Sequence, residues 1–448
     1  MPSSITPEST FACRAIPGEW VRTTQLFVVA SLLFLIVSMV CISPAGAQQS
    51  ALLVPMDDSQ SNHLRAYGIT YQAIDQFPDE RSRWLLNYRG GSFLLPDRES
   101  IRRHLRIKSV HFQKISAASR AGIEQNIKRS NMRTIPLEKA PDVAVYTPPG
   151  AEPWDDAVTL ALNYADIPFD KVYDQAVLQG QLEKYDWVHL HHEDFSGQFG
   201  KFYANYRNRP WYMKKVEKAR QRAEKLGFET VQTQKKSVAE EIAHYVENGG
   251  FLFAMCSATE TLDVALATLG LDSVSPEISG TPIDPDIKQK INFERTLAFT
   301  DFELVIDPNI YAHSNIDISP DPRDSSPESE RFQLFDFSAQ YDPIPAMLTQ
   351  NHSEVVKGFL GQSSSFNAEV VKEYVTELAQ LQDDRVKYLY GFYGDGLFSF
   401  FSGHDPEDFA HYVGDPHTNL RGHPNSPGYR LILNNILFPA ADKPELKT

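Results

Sequence analysis

The sequence predicts an α/β fold built on a doubly wound, mostly parallel sheet, and two observations lead to this prediction. From residue 143 onward, short apolar segments of strand length alternate with segments of helical periodicity. Turn-forming clusters such as Thr147-Pro148-Pro149-Gly150 separate them. In a sheet of this kind the carboxyl ends of neighbouring strands line one crevice, so we expect functional residues there.

This alternation defines the elements of the main domain in chain order. We predict strands over residues 143–146, 169–173, 187–190 and 251–255, and helices over 154–164, 239–246 and 261–269. The second of these helices ends at Asn248-Gly249-Gly250, a good helix stop. Further along, the sequence predicts a helix over 370–382, paired strands over 386–393 and 397–401, and a closing amphipathic helix over 428–438.

Four segments make up the chain. We assign residues 1–47 to a signal peptide, 48–140 to a segment containing a βαβ unit packed on the main domain, 141–440 to the main α/β domain and 441–448 to a tail. The βαβ unit consists of strands over 51–56 and 84–88 with a helix over 64–74 between them. Residues 98–130 predict one or two surface helices.

The signal assignment rests on an apolar run. Residues 26–42 are apolar except for two serines, and Ala45-Gly46-Ala47 follows in the small-x-small form that signal peptidase recognises. We expect the mature chain to begin at Gln48 and the protein to be periplasmic or extracellular. An uncleaved membrane anchor is the alternative, because the run is near the lower length limit for a spanning helix.

Composition excludes several classes of partner and fold. Hydrophobic residues make up 42% of the 448 and charged residues 23%, which is typical of a globular protein and not of a disordered one. The net charge is −15 and no block of lysine and arginine is present, so nucleic-acid binding is not expected. We predict a small-molecule ligand, with membrane contact only through the signal segment.

Cysteine use singles out one residue. Cys13 and Cys41 lie within the signal segment, so the mature chain keeps Cys256 alone and no intramolecular disulfide can form. Cys256 lies between a predicted buried strand and a helix, flanked by the small residues Ala254 and Ala258. A nucleophile on such a turn is exposed over the sheet, near backbone N–H groups that can hold an oxyanion. The alternative is a small buried hydrophobe.

A histidine cluster follows the third strand of the alternation. His189, His191, His192 and Glu193 lie on or just beyond this strand, so they share the crevice with Cys256 in the predicted sheet. These residues could supply zinc ligands, and His191, His192 and Glu193 are candidates for ligand binding together with Ser257. No H-E-x-x-H or paired C-x-x-C spacing is present, so we predict neither a metal nor another cofactor.

A second histidine follows the strand over 397–401. His404 precedes Asp405 and Glu407, and a histidine with a nearby carboxylate is the minimum for a general base and the group that orients it. Together with Cys256 as nucleophile, a base and its orienting carboxylate would supply the three roles of a catalytic triad. His404 could instead be a turn residue that caps a strand.

The order of Cys256, His404 and Glu407 resembles the class I glutamine amidotransferase-like superfamily, whose signature is G-x-C-x-G followed by a later H-P-E. Here alanines replace the two glycines, and Asp405 lengthens the second motif by one residue. Residues 426–435 resemble the last helix of its ThuA-like branch, whose members include exported proteins suspected of binding or processing sugars. The resemblance covers about residues 141–440 and implies a flavodoxin-like fold.

The whole chain, through residues 87–91 and 191–195, also resembles bacterial proteins catalogued as asparagine synthetase B. Asparagine synthetases use an N-terminal cysteine nucleophile and a pyrophosphate loop, and neither is visible in this sequence. ATP-dependent amide synthesis is therefore not expected.

Three functions remain open on this reasoning. The first is an exported cysteine hydrolase or amidase in which Cys256 attacks a carbonyl, His404 acts as base, and Glu407 or Asp405 orients it. The second is a non-catalytic ThuA-like module whose aromatic residues stack on a ligand such as a sugar; the candidates are Trp154, Trp187, Tyr203 and Trp211. The third is a metal-assisted hydrolase built on His191, His192 and Glu193.

Overall fold

Two β-sheets organise the part of the chain that the computed structural model describes, which comprises residues 50–149, 156–318, 326, 330–359, 363–381, 385–408 and 416–442. The predicted signal peptide, Trp154 and most of the tail lie outside these residues. None of the described helices has the length and apolarity needed to cross a membrane.

The first sheet is formed by the N-terminal segment and is entirely antiparallel. Its strands lie in the order β4-β1-β3-β2-β5. They are β1 (Ala51–Val54), β2 (Ser82–Leu86), β3 (Ser92–Pro96), β4 (Gln113–Ile115) and β5 (Arg133–Leu137). The predicted βαβ unit is present, since a helix connects β1 to β2, but β3 is inserted between the two strands.

The second sheet has nine strands in the order β11-β10-β12-β13-β14-β9-β8-β6-β7. Its first members are β6 (Val143–Tyr146), β7 (Asp170–Val172), β8 (Trp187–Leu190) and β9 (Phe251–Met255). The others are β10 (Phe332–Leu334), β11 (Val355–Val356), β12 (Thr376–Leu381), β13 (Val386–Tyr393) and β14 (Gly396–Phe401). Strands β7, β6, β8, β9 and β14 pair in parallel, and all remaining pairs are antiparallel.

The α/β class is therefore confirmed, but the expectation of a mostly parallel sheet is wrong. Four of the nine strands form an antiparallel extension that begins where β13 pairs with β14 through the tight turn at Gly394. This hairpin needs only a short connection, whereas each parallel pair needs a long crossover. The sequence from 386 to 401 predicts the hairpin but not the strands that pair beyond it.

Helices cover both faces of the parallel half. The described helices are α1 (His63–Gln76), α2 (Glu99–Ile107), α3 (Ala117–Lys128), α4 (Ala157–Ala165), α5 (Asp174–Leu178), α6 (Tyr203–Tyr206), α7 (Pro210–Lys225), α8 (Val231–Glu247), α9 (Ser257–Ala267), α10 (Pro276–Ser279), α11 (Ile287–Lys290), α12 (Pro343–Leu348) and α13 (Pro427–Leu437). Val145 and Phe253 face a core shared with α4 and α13, whereas Ala144 and Leu252 face a core shared with α8 and α9. This alternation buries both faces of each central strand.

One predicted helix is a strand. The sequence favours a helix over residues 370–382, because glutamate, leucine, alanine and glutamine are good helix formers. The structure instead has a short 3₁₀ turn followed by β12, which pairs with β10 on one side and β13 on the other. Pairing on both edges outweighs a helical propensity of a few tenths of a kcal/mol per residue.

Candidate functional site

Cys256 occupies the turn that joins β9 to α9, and its backbone is in a conformation that L-residues rarely adopt. Its φ is 53° and its ψ is −141°, while the side chain is fully buried. Such a conformation costs about 1–3 kcal/mol and persists where the surrounding structure imposes it. The Cys256 N–H donates to the Phe401 carbonyl at 3.1 Å, which ties the turn to the end of β14. The predicted strand-to-helix turn is confirmed, but the expectation that it exposes the Cys256 side chain is wrong, because the side chain is 0% exposed.

Of the three backbone amides that follow Cys256, two already donate hydrogen bonds within the protein. The Ala258 N–H donates to the His191 carbonyl and the Thr259 N–H to the Cys256 carbonyl, each at 3.2 Å. Within the described chain, the Ser257 amide has no acceptor, and its buried Oγ has no hydrogen-bond partner. Of the amides expected to hold an oxyanion, Ser257 alone among these three has its N–H available. Its N–H and its hydroxyl are therefore the two candidate donors next to Cys256.

Three histidine rings from two strand ends lie close together at the same edge. The His191 ring centroid is 4.4 Å from that of His192 and 5.4 Å from that of His404, and His192 and His404 are 6.4 Å apart. Burial, followed by the neighbouring histidines, lowers the pKa of His191 well below its usual value. His192 is exposed and His404 is half-buried. The contact of His191 and His192 with His404 was not predicted from the sequence.

A buried carboxylate, Asp156, joins this group from the start of α4. Its Oδ1 accepts the Val158 N–H at 2.8 Å as the helix cap, and it lies 3.1 Å from His189 Nε2 and 3.7 Å from His191 Nδ1. Asp156, His189 and His191 offer ligand atoms that all lie within 4.8 Å of one another. These three residues could hold a metal ion, and they differ from His191, His192 and Glu193, the set of the metal-assisted alternative.

Glu193 lies apart from these three residues. Its carboxylate is 4.0 Å from Nζ of Lys235, whose ammonium is buried against Asp174 and the rings of Tyr146 and Tyr173. These contacts belong to the core that faces α8, on the opposite side of the sheet from Asp156. Glu193 lies three residues beyond the end of β8, so the alternation of side chains along the strand does not set its direction.

The carboxylates predicted to orient His404 have other partners. Asp405 accepts the backbone N–H of Glu407 and Asp408, which is a local turn, and also the Thr418 hydroxyl at 2.7 Å. Glu407 Oε2 lies 3.1 Å from Nδ1 of His423. An aspartate readily bonds the amides two and three residues ahead of it, and here the Asp405 carboxylate accepts from these amides and from Thr418.

Among the aromatic residues proposed to stack on a ligand, Trp187 lies apart from Tyr203 and Trp211, and Trp154 is outside the described residues. Trp187 is fully buried, and its ring stacks on Phe253 with centroids 5.6 Å apart, so it cannot meet a ligand. Trp211 is 48% exposed and packs with Phe202 at a distance of 6.0 Å between ring centroids. Tyr203 is partly buried beside the same aromatic group.

Two residues near Cys256 were not predicted from the sequence. Burial lowers the pKa of Lys387 to about 7, and negative charge nearby, including that of an ionised Cys256, opposes this shift. Burial and then the Cys256 thiol raise the pKa of Tyr311, whose side chain is half exposed. Lys387 lies within the apolar strand β13, and Tyr311 lies in a segment without periodicity, so neither had a sequence signal. Both are within electrostatic reach of the thiol.

Comparison with known proteins gives only distant likenesses. No protein-family model matches the sequence, and no curated protein matches it significantly. Among solved structures, two cytoplasmic proteins from Salmonella typhimurium align over 67% of this chain and 100% of their own, at 13% and 12% identity with TM-scores of 0.33 and 0.34. A putative GMP synthase subunit from Thermoplasma acidophilum aligns over 67% of this chain and 94% of its own, at 7% identity and a TM-score of 0.31. Likenesses at this level assign neither a family nor an activity to the chain.

Proposed function

We propose that the protein is an exported hydrolase that uses Cys256 as its nucleophile. The observation that carries the proposal is the conformation of Cys256, a residue other than glycine held at φ 53° and ψ −141° between a strand and a helix. Strain of this kind concentrates at active sites, where it presents a side chain in a fixed direction. A buried thiol needed only for packing would not require it.

The sheet supports the same proposal. Counted along the chain, the parallel strands β7, β6, β8, β9 and β14 have the order 2-1-3-4-5, which is that of flavodoxin-like folds. Such folds bind ligands beyond the carboxyl ends of the strands. Cys256, His191 and His404 follow three of these strands, as expected for a protein with a core of the class I glutamine amidotransferase-like kind.

In the proposed reaction His404 takes the thiol proton and the Cys256 sulfur bonds to the carbonyl carbon of an amide or ester. The Ser257 N–H and Oγ donate to the developing oxyanion. The leaving group departs with the proton from His404, and water then hydrolyses the thioester to release the acid and the thiol. The positive charge that Lys387 carries when protonated favours the thiolate.

His404 is the proposed base, and alanine substitutions of His404 and His192 test this assignment. Replacing His404 by alanine is expected to slow alkylation of Cys256 by iodoacetamide at pH 7 by about tenfold, because the thiolate fraction falls when its proton acceptor is lost. The matched variant His192→Ala should change the rate less than about twofold. Mass spectrometry of the intact protein over time measures the alkylation rate of both variants. The rate in unfolded protein is the reference, because there the thiols of all variants should react equally. A slow His192→Ala variant and an unchanged His404→Ala variant would assign the base to His192.

A ligand-binding module of the ThuA-like kind is the second candidate. One observation favours it: the Ala258 amide, which a hydrolase could direct at an oxyanion, donates to the His191 carbonyl instead. This function predicts a thiol that stays unreactive in every histidine variant.

Export is the remaining part of the proposal, and processing at the N-terminus tests it. We expect the mature chain to begin at Gln48, because Ala45 and Ala47 satisfy the cleavage rule behind the apolar run. N-terminal sequencing of protein from the exported fraction should find this residue first. Intact residues 1–47 recovered in a membrane pellet would identify an anchor instead.

A further inference from the structure

We infer that Asp156, His189 and His191 form a binding site for a divalent transition metal, with zinc as the matching ion. Two imidazoles and one carboxylate are a ligand set typical of zinc, and the three residues lie at the carboxyl edge of the sheet. The inference goes beyond the proposed thiol chemistry, which requires no metal.

The hydrogen bonding of His189 is the first observation. Its Nδ1 lies 3.1 Å from the Phe253 carbonyl and its Nε2 lies 3.1 Å from Asp156 Oδ1, so both ring nitrogens face acceptors. A neutral imidazole has only one proton to donate. When Nδ1–H donates to Phe253, the lone pair of Nε2 faces a carboxylate oxygen, and a cation between them would turn this repulsion into attraction. An imidazole whose second nitrogen binds a backbone carbonyl is also the common arrangement of histidine ligands to metals.

The second observation is that the ring nitrogens of the buried His191 have no hydrogen-bond partner among the described residues. His191 is only 4% exposed, and neither of its ring nitrogens has a hydrogen-bond partner among the described residues. Asp156 is 1% exposed, and its Oδ2 likewise has no hydrogen-bond partner among the described residues. Buried polar atoms of this kind are rare, because each costs about 1–3 kcal/mol when left unsatisfied. A second proton on His189 would satisfy only the contact between its Nε2 and Asp156 Oδ1, whereas a cation bound at that oxygen also gives a partner to a ring nitrogen of His191.

The two separations that involve the carboxylate are close to those around a zinc ion. Bonds of about 2.0–2.2 Å in a tetrahedral site place ligand atoms about 3.3–3.6 Å apart. The separations from Asp156 Oδ1 are 3.1 Å to His189 Nε2 and 3.7 Å to His191 Nδ1. Three protein ligands leave a fourth position for water or a ligand atom, which is the pattern of catalytic rather than structural zinc sites. The His404 ring, 5.4 Å from that of His191, lies beside this site.

Zinc alone is the probe in the test. The full-length protein is treated with a chelator, incubated with zinc sulfate and separated from free metal, and bound zinc is measured by elemental analysis. We expect about one zinc per chain and a rise in Tm on zinc addition, since an ion that binds only the folded state stabilises it. Asp156→Asn, which keeps the oxygen that caps α4, and His191→Ala should each weaken zinc binding by at least about 100-fold.

Three control variants complete the test. His244→Ala, at an exposed position on α8, and His192→Ala should retain zinc, and retention by Cys256→Ser would separate this site from the thiol chemistry. Absence of both stoichiometric zinc and a Tm shift in the unmodified protein would overturn the inference. Undiminished binding by Asp156→Asn would overturn it as well, including in the case that His191→Ala does not fold.

Discussion

Replacing Arg430 by methionine is expected to destabilise the protein by about 3–5 kcal/mol. Arg430 lies on α13 with its guanidinium fully buried, and it donates to the Tyr67 hydroxyl at 3.0 Å, to the Met56 carbonyl at 2.9 Å and to the Gly90 carbonyl. Methionine fills a similar volume but donates no hydrogen bond, so the Tyr67 hydroxyl and the Gly90 carbonyl lose this donor, and the Met56 carbonyl keeps only His63 Nε2 at 3.1 Å. Each buried acceptor left unsatisfied costs about 1–3 kcal/mol. The bonds join the closing helix to the N-terminal segment, so the variant tests whether the two fold together.

Urea denaturation measures this effect, with Arg421→Met as the control. Arg421 is exposed in the loop before α13, and its replacement should change the free energy of unfolding by less than about 0.5 kcal/mol. A loss below about 1 kcal/mol in Arg430→Met would contradict the role of this helix as the link between the two sheets.

The second large effect concerns Cys256 itself. Replacing it by glycine is expected to abolish alkylation at this position, yet the variant should be about 1 kcal/mol more stable than Cys256→Ala. Alanine keeps the steric penalty of φ 53°, whereas glycine adopts this conformation without strain. At an ordinary helical position the order is reversed, because glycine costs about 1 kcal/mol relative to alanine.

Ala258→Gly provides the matched control, since Ala258 lies within α9 only two residues away. We expect this variant to lose about 1 kcal/mol in the same denaturation experiment. Should Cys256→Gly instead prove less stable than Cys256→Ala by a similar amount, the backbone at Cys256 is not strained and the main support for a nucleophile disappears.

The local hydrophobic pattern was sufficient to predict the strands that carry the candidate site. The apolar runs at 187–190 and 251–255 are strands with the predicted bounds, because each is buried on both faces between turns or helices. Parallel pairing then brings their carboxyl ends together, which is why Cys256, His191 and His404 could be placed at one edge from the sequence. Residues 370–382 could not be assigned correctly, since pairing with β10 and β13, and not the local sequence, selects a strand over a helix.

The electrostatics of the site were beyond sequence reasoning. Asp156 follows a turn cluster and is recognisable at most as a helix cap, yet its contacts to His189 and His191 depend on how α4 packs across the sheet. Lys387 is one polar residue in a buried strand, and nothing local indicates that it comes close to Cys256. Spacing alone suggests an orienting role for Asp405 and Glu407, whereas a local turn and His423 determine their contacts.

Alkylation of Cys256 in the native, full-length protein decides whether this residue is a nucleophile. Iodoacetamide is added under pseudo-first-order conditions between pH 6 and 8, and peptide mapping identifies the modified cysteine. A nucleophile activated by His404 and the start of α9 should react at pH 6 at least about tenfold faster than N-acetylcysteine, because an ordinary thiol is almost entirely protonated there. Full protection of Cys256 in the native protein, together with normal labelling after unfolding, would show that the thiol is core packing and that the hydrolase proposal is wrong.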